Sequence, residues 1–236
     1  MMAHQPTTVF CDFDGTMTMD DMIIAVWRRF APAGWERTVE EMLAERKSLR
    51  EGVAEIFATI PSRLAPEIAE YVSTAVRFRP GLQEFLEFCH AKTIDFVVVS
   101  GGVDFFLEPV LAPYGPWVRS VHSIPADLSG PSIRLSHPDG CARCGLCKAA
   151  VMDAHPGVRR VLVGDSITDL HGAEHADQVF ARGRLSGFLD QRGIPYQPFE
   201  TFVDIKASME EGIHLSRPDS GTHPVDLPVE GLGDEL

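Results

Sequence analysis

The hydrophobic pattern alternates between short apolar runs of strand type and longer runs with a helical period. Four runs rich in β-branched and aromatic residues have the length and composition of buried strands. They are residues 9–13, 96–99, 161–163 and 179–181. Helical patterns separate these runs, and such alternation predicts a parallel sheet with helices on both faces. The expected fold class is therefore α/β, with a doubly wound, Rossmann-like core.

The stretch between the first two predicted strands is too long for a simple crossover connection. Apolar residues recur there at helical spacing in four segments, which prolines and glycines separate: 21–30, 38–43, 52–60 and 65–76. We expect residues 17–80 to form a small helical cap, and residues 1–16 and 81–216 to form the core. The alternative is a helical elaboration packed on the core, which would leave a site at the strand ends open to water.

Two carboxylates follow the first apolar run directly before a glycine. Asp12 and Asp14 are expected on one face of a strand, because residues two apart in a strand point the same way. Close like charges repel unless a cation or a shared proton offsets them, and a divalent metal is a common offset. The pair predicts a magnesium-assisted carboxylate nucleophile. The alternative is an Asx-type turn in which Asp14, Gly15 and Thr16 only cap a helix.

Three further segments carry groups that phosphoryl transfer requires. Ser100 and Gly101 follow the second run, where a hydroxyl and backbone amides become available to a phosphate. Lys148 begins an alanine-rich apolar stretch, and Asp165 and Asp169 follow the third run at a spacing that directs both toward one ion or lysine in a helical turn. Taken singly, each has an ordinary interpretation, such as a turn after a buried strand or a solvated lysine. Together they indicate one site, because ligands of open α/β sheets bind at the carboxyl ends of strands.

In this order the four segments resemble the signature of the haloacid dehalogenase superfamily of phosphatases: Asp-x-Asp-Gly-Thr, a serine, a lysine and Gly-Asp-x-x-x-Asp. The resemblance implies that Asp12 is the nucleophile that accepts the phosphoryl group and that Asp14 is the general acid and base. It also implies that Ser100 and the Gly101 amide bind the phosphate oxygens and that Lys148 offsets negative charge.

The same resemblance implies a bound Mg²⁺ as cofactor. The ion would be held by Asp12, the carbonyl of Asp14 and Asp165, while Asp169 would orient Lys148 or a metal-bound water. When a carboxylate attacks a dianionic phosphate, nearby positive charge must offset the repulsion between the two anions. Mg²⁺, Lys148 and oriented backbone amides would supply it.

The segment after the nucleophile points to a branch of the superfamily. In the phosphoserine phosphatase branch, a glutamate at the position of Asp21 contacts the substrate amine, and here the carboxylate is shorter. Three phrases resemble the methionine-salvage branch instead, which implies an enediol phosphate made from methylthioribose as substrate: residues 19–22, 48–52 and 100–106. Asp21 is then expected to bind substrate, or alternatively to act only as a charge at a helix N-terminus.

The alternative substrates within this class are phosphoserine, phosphocholine and phosphoethanolamine. An ammonium-binding carboxylate in the cap would favour these, whereas an apolar slot would favour a thioether. Met22, Ile23, Trp27 and Phe57 are available for such a slot, although an apolar helical stripe is more often core than pocket.

A second possible metal site lies in a cysteine-rich loop. His137, Cys141, Cys144 and Cys147 offer four ligands that tetrahedral zinc accepts. The three cysteines lie within seven residues, whereas structural zinc sites usually join two separated elements, so a reduced loop that delivers Lys148 is the favoured interpretation. A non-catalytic zinc-loop binding protein on the same fold is the remote alternative, and the presence of both carboxylates of the nucleophile loop argues against it.

Composition narrows the choice of partner. Among 236 residues, 34 are acidic and 21 basic, and the formal charge of -13 repels nucleic acid. A small phosphorylated metabolite fits better. Neither a membrane-spanning stretch nor a secretory signal pattern is visible, so we expect a cytoplasmic protein without a membrane partner. Residues 217–236 lack periodicity and predict a disordered tail. The amino-acid sequence does not indicate the oligomeric state.

Overall fold

The computed structural model describes residues 5–137 and 145–212. Eight strands are present among them: β1 (Thr7–Cys11), β2 (Asp95–Val103), β3 (Ser120–Ile124), β4 (Ala126–Asp127), β5 (Arg134–Leu135), β6 (Arg159–Gly164), β7 (Gln178–Ala181) and β8 (Gln197–Pro198). Six of them form one parallel sheet in the order β3-β2-β1-β6-β7-β8. The sheet confirms the predicted α/β class, and β1, β2, β6 and β7 lie at the four predicted strand positions.

The first strand is shorter at its carboxyl end than the pattern predicts. β1 ends at Cys11 because Asp12 begins a turn in which Gly15 has a left-handed φ of 74°. The amide of Asp12 still donates to the Val163 carbonyl at 3.0 Å and continues the sheet for one residue. The expectation that Asp12 and Asp14 share a strand face is therefore wrong, because the chain leaves the strand before Asp14.

Helices cover both faces of the sheet. Ten are present in the described part of the chain: α1 (Met22–Phe30), α2 (Trp35–Leu43), α3 (Leu49–Ala58), α4 (Ala65–Ala75), α5 (Leu82–Ala91), α6 (Asp104–Leu111), α7 (Lys148–Asp153), α8 (Leu170–His175), α9 (Gly183–Arg192) and α10 (Phe202–Glu210). Val9 and Cys11 of β1 point into one apolar cluster, to which α5, α6 and α10 contribute. Phe10 points into the other, to which α7, α8 and α9 contribute. This two-sided packing confirms a doubly wound core.

Helices α1 to α4 occupy the chain between β1 and β2, which confirms a helical insertion after the first strand. Helices α2 and α3 each begin three residues before their predicted starts. For α3 the cause is a capping box, in which Ser48 and Glu51 exchange hydrogen bonds at the first turn. The proposed domain limits at residues 16/17 and 80/81 stay predictions.

A short hairpin that the hydrophobic pattern does not predict connects the core to this insertion. Strands β4 and β5 pair antiparallel, and the chain between them reaches the insertion. There the amide of Ile133 donates to the carbonyl of Ile60 at 3.0 Å. At the base of the insertion, the amide of Met19 donates to the carbonyl of Arg77 at 2.8 Å. These two hydrogen bonds hold the helical insertion over the carboxyl ends of the strands.

Two predictions fall on residues that the structure does not describe. The predicted disordered tail at 217–236 and the predicted zinc ligands Cys141 and Cys144 lie outside residues 5–137 and 145–212. Within those two ranges, every helix is too short or too polar to cross a lipid bilayer.

Candidate active site

The loop after β1 places two carboxylates in different surroundings. Asp12 is 4% exposed and extends from the strand, whereas Asp14 lies beyond it, at the N-terminus of α1. The Met22 amide donates to Asp14 Oδ1 at 2.7 Å. A Cβ on Gly102 would make an ordinary contact of 3.5 Å with Asp14 Oδ2, but it would stand only 2.7 Å from Leu107 and 3.0 Å from Ser100 Oγ, so the packing against these two residues favours a glycine.

A buried arginine holds this loop from behind. Arg79 is 3% exposed, and its guanidinium donates to the carbonyls of Gly15 at 2.6 Å, Thr16 at 2.8 Å and Thr18 at 3.1 Å. It also donates to the Glu200 carbonyl at 3.2 Å. The sequence does not indicate Arg79, because a single arginine between two helices carries no recognisable signal and the hydrogen-bond partners described for it are backbone atoms.

Lys148 lies between two buried carboxylates at the start of α7. Its Nζ donates to Asp12 Oδ1 at 2.6 Å and also to Asp169 Oδ1, and all three side chains are nearly inaccessible. Burial lowers the pKa of Lys148, but the two carboxylates outweigh burial and raise it overall. The lysine is therefore charged, and it fixes Asp12 by one oxygen. Asp12 Oδ2 has no hydrogen-bond partner in the described residues, so it is the oxygen left for chemistry.

Both carboxylate oxygens of Asp169 accept hydrogen bonds. Its Oδ2 accepts from the amides of Asp165 at 3.0 Å and Ser166 at 2.9 Å, while its Oδ1 accepts from Lys148. A Cβ at Gly164 would collide with the Asp169 carboxylate, so the glycine of β6 leaves the space that this side chain occupies. The role of Asp169 in orienting Lys148 stays a prediction.

Asp12, Asp165 and Asp169 can each offer one oxygen within 4.8 Å of the others. Lys148 neutralises one of the three negative charges, so this cluster keeps an excess of negative charge that a divalent cation would balance. Burial and the Asp169 charge raise the pKa of Asp165 to about 6, although Thr16 donates to its Oδ1 at 2.8 Å. Burial likewise raises the pKa of Asp12, and the neighbouring carboxylates add to this against the effect of Lys148. The donor set fits Mg²⁺, with Asp12 and Asp165 as the carboxylates that are free to bind it.

The predicted phosphate-binding residues lie at the end of β2. Ser100 is fully buried, and its Oγ accepts from the Gly102 amide at 2.9 Å, which leaves the hydroxyl hydrogen free to donate. Gly101 faces a cavity, and a Cβ built on it would contact nothing. A hydroxyl and an open stretch of backbone therefore stand at the same edge of the sheet as Asp12.

One cavity of about 970 Å³ joins these groups to the helical insertion. Gly101, Lys148 and Asp165 line its polar end, and side chains of α1 to α4 line its apolar end. Met22, Ile23 and Trp27 are among them, as expected. The expected contribution of Phe57 is wrong, because its ring is fully buried against Trp27 and Phe106 on the far side of this wall.

Asp21 is a helix cap that also borders the cavity, and its contact with a substrate stays a prediction. Its Oδ1 accepts from the Ile24 amide at 2.9 Å, so it is the N-cap of α1, and the residue also lines the cavity. Its neighbour Asp20 also lines the cavity and accepts hydrogen bonds from the Arg77 guanidinium at 2.7–2.9 Å at the surface.

The cysteine loop is described only at its two ends. The His137 Nδ1–H donates to the Gly145 carbonyl at 3.1 Å, and Nε2 is buried without a partner in the described residues. Cys147 Sγ lies 3.6 Å from His171 Nδ1, a contact that the sequence does not indicate. The zinc hypothesis stays a prediction.

Comparison with known proteins identifies the family. The model of the haloacid dehalogenase-like hydrolase family matches residues 9–174, which include the nucleophile loop, Lys148 and both carboxylates after β6. The chain belongs to the haloacid dehalogenase-like hydrolases.

Relatives of this hydrolase are named consistently. A protein from Geobacillus kaustophilus is 41% identical over 204 residues, which cover 84% of this chain and 92% of the relative. One from Brevibacillus brevis is 39% identical over the same length and coverage. Both are named 2-hydroxy-3-keto-5-methylthiopentenyl-1-phosphate phosphatase. The predicted superfamily is confirmed, and with it the prediction of a phosphoric monoester hydrolase.

Solved structures support the fold of the hydrolase. A phosphoserine phosphatase described as a phospho-aspartyl intermediate analogue superposes with a TM-score of 0.66 at 14% identity, covering 88% of this chain and 99% of that one. A substrate-bound phosphoserine phosphatase gives 0.65 at 15% identity, covering 89% and 99%. At this identity the likeness concerns the fold alone.

Proposed function

We propose that this hydrolase cleaves a small phosphate monoester through an aspartyl-phosphate on Asp12. The observation that carries the proposal is the clamp of Lys148 on Asp12 and Asp169. It holds one oxygen of Asp12 and leaves Oδ2 free beside the cavity. A carboxylate fixed in this way is oriented for attack and loses little conformational entropy when it approaches the phosphorus.

The reaction then has two displacements. Asp12 Oδ2 forms a bond to phosphorus as the bond to the leaving oxygen of the ester breaks, and Asp14 gives that oxygen a proton. Burial and the charges of Asp21 and Asp12 raise the pKa of Asp14, which favours its protonated form before the first step. Asp14 then takes a proton from the water that attacks the phosphorus, which releases inorganic phosphate and restores Asp12.

Charge compensation comes from several directions. Lys148 would offset charge on Asp12, while the Ser100 hydroxyl and the Gly101 amide would donate to the phosphate oxygens. Mg²⁺ would be held by Asp12, Asp165 and the Asp14 carbonyl. When bound, it supplies Lewis-acid charge to the transferring phosphoryl group.

We further propose that the substrate is 2-hydroxy-3-keto-5-methylthiopentenyl-1-phosphate, the compound in the names of the relatives. Its phosphate is on C1 and its methylthio group on C5, so its two ends differ in polarity as the two ends of the cavity do. Phosphoserine and phosphocholine instead carry a charged ammonium, for which Asp21 is a carboxylate in the cavity lining, whereas the apolar side chains of α1 to α4 suit a thioether.

A turnover panel tests the proposal. The enediol phosphate, generated from its diketone tautomer, should have a kcat/KM well above those of phosphoserine and phosphocholine, and EDTA should abolish turnover of all three. Efficient turnover of phosphoserine with none of the enediol phosphate would contradict the substrate assignment. The cytoplasmic location and the absence of nucleic-acid partners stay predictions.

A further inference from the structure

The Ser-Leu-Arg-Glu-Gly segment at residues 48–52 begins α3 and places a glycine inside that helix. Ser48 and Glu51 form the capping box, with the Glu51 amide donating to Ser48 Oγ at 3.2 Å. Gly52 follows at a buried position where the backbone does not adopt the left-handed conformation that favours glycine. Because glycine weakens a helix interior relative to alanine, its presence needs a packing reason.

That reason is Met42 of α2. A Cβ on Gly52 would overlap the Sδ and Cγ of Met42 and stand 3.1 Å from its Cε, so the methionine lies directly on the backbone of α3. Polar contacts hold the two helices in this register, since Thr38 Oγ1 donates to Glu55 at 3.1 Å. Lys47, in the connection between the helices, contacts both Glu55 and Glu41.

Met42 is only 8% exposed, and it lines the large cavity. The same apolar end is formed by neighbouring side chains of α2 and α3: Val39, Leu43, Leu49 and Val53. Lys148 and Asp165 line the opposite, polar end of this cavity. A substrate with its phosphate beside Lys148 would therefore direct its other end toward the wall that Met42 belongs to.

We infer that Met42, seated on Gly52, sets the depth of the apolar end and selects substrates by the length of the tail opposite the phosphate. The inference rests on the proposed function and deepens it, because it assigns the methylthio group to this wall. Gly52 acts through Met42, and Met42 is the specificity-determining side chain.

Gly52→Ala tests the inference without changing polarity. The added methyl group must displace Met42, and because α2 and α3 are held together, the space available to the side chain is the cavity. The helix itself gains from the alanine, and methionine adapts readily, so the variant is expected to fold. A methylene-sized change in an apolar pocket typically alters kcat/KM by roughly 10- to 200-fold.

The assay compares the enediol phosphate with the same compound lacking the methylthio group. Gly52→Ala should lower kcat/KM for the methylthio substrate at least about ten-fold more than for the shorter one, mainly through KM. Adding Met42→Ala to Gly52→Ala should restore the preference. Gly187→Ala is the matched control, because Gly187 lies within α9 and a Cβ there would contact nothing, so both rates should match the wild type.

Equal effects of Gly52→Ala on the two substrates would overturn the inference while the proposed function stands. A wild-type protein that hydrolyses phosphoserine and neither enediol phosphate would overturn both together. If Gly52→Ala does not fold, Met42→Ala alone decides the matter. It should improve turnover of a propylthio homologue relative to the methylthio substrate, and an unchanged preference would refute the role of Met42.

Discussion

Replacing Arg79 by lysine should weaken both the fold and catalysis, although the charge is kept. Arg79 donates from three nitrogens to four backbone carbonyls, three of them in the segment 15–18. A lysine has one nitrogen and is expected to keep one or two of these bonds, leaving the other carbonyls buried without a donor. At about 1–1.5 kcal/mol for each lost bond, the free energy of unfolding should fall by about 3 kcal/mol. For a protein of this size the melting temperature should drop by roughly 6–12 °C.

Catalysis is affected because residues 15–18 adjoin a carboxylate of the proposed active site. Asp14 directly precedes this segment, and misplacing a catalytic group by about 1 Å can cost on the order of a hundred-fold in rate. We therefore expect kcat to fall at least about ten-fold, with a smaller change in KM. Arg77→Lys is the matched control, since the exposed Arg77 side chain pairs with Asp20 alone among the described residues, and a surface ion pair contributes about 1 kcal/mol or less. Equal melting temperatures and equal kcat values for Arg79→Lys and Arg77→Lys would refute this role of Arg79.

Three other perturbations address separate parts of the site. Asp14→Asn should slow hydrolysis of an alkyl phosphate far more than that of para-nitrophenyl phosphate, whose leaving group needs no proton; equal losses would remove Asp14 from the acid role. Added Mg²⁺ should raise the melting temperature more at pH 8 than at pH 5. The raised pKa of Asp165, about 6 instead of 3.8, means that its ionisation destabilises the metal-free protein as pH rises through 6, and the ion reverses this; equal shifts at the two pH values would speak against the site. Metal analysis of protein purified without added zinc should find much less than one equivalent, whereas a full equivalent would support a zinc site at His137, Cys141, Cys144 and Cys147.

The central sheet and the converging carboxylates could be predicted because their signals are local. Asp12 and Asp165 each follow an apolar run, and parallel strands bring such positions to one edge of the sheet. Lys148 has no such signal of its own, and its place was indicated by the resemblance to a family. Its position depends on tertiary contacts, with Asp12 lying 136 positions and Asp169 lying 21 positions away in the chain.

Other features depend on geometry that a hydrophobic pattern does not contain. The direction of Asp14 is set by a turn at Gly15, and the short strands β4 and β5 have too few residues to show a period. Phe57 belongs to the same helical stripe as pocket residues, but periodicity identifies the buried side of a helix and not its neighbour. Arg79 is unpredictable for a related reason, since its partners are backbone carbonyls, which every sequence possesses.

The most direct test of the account is to look for the phosphorylated aspartate. Protein mixed with ³²P-labelled substrate and quenched in acid should carry base-labile label on the peptide that contains Asp12. Asp12→Asn should carry none and should lose turnover while keeping its fold, because Lys148 retains Asp169 as a partner. Label on a different residue, or near-wild-type turnover by Asp12→Asn, would contradict the aspartyl-phosphate mechanism.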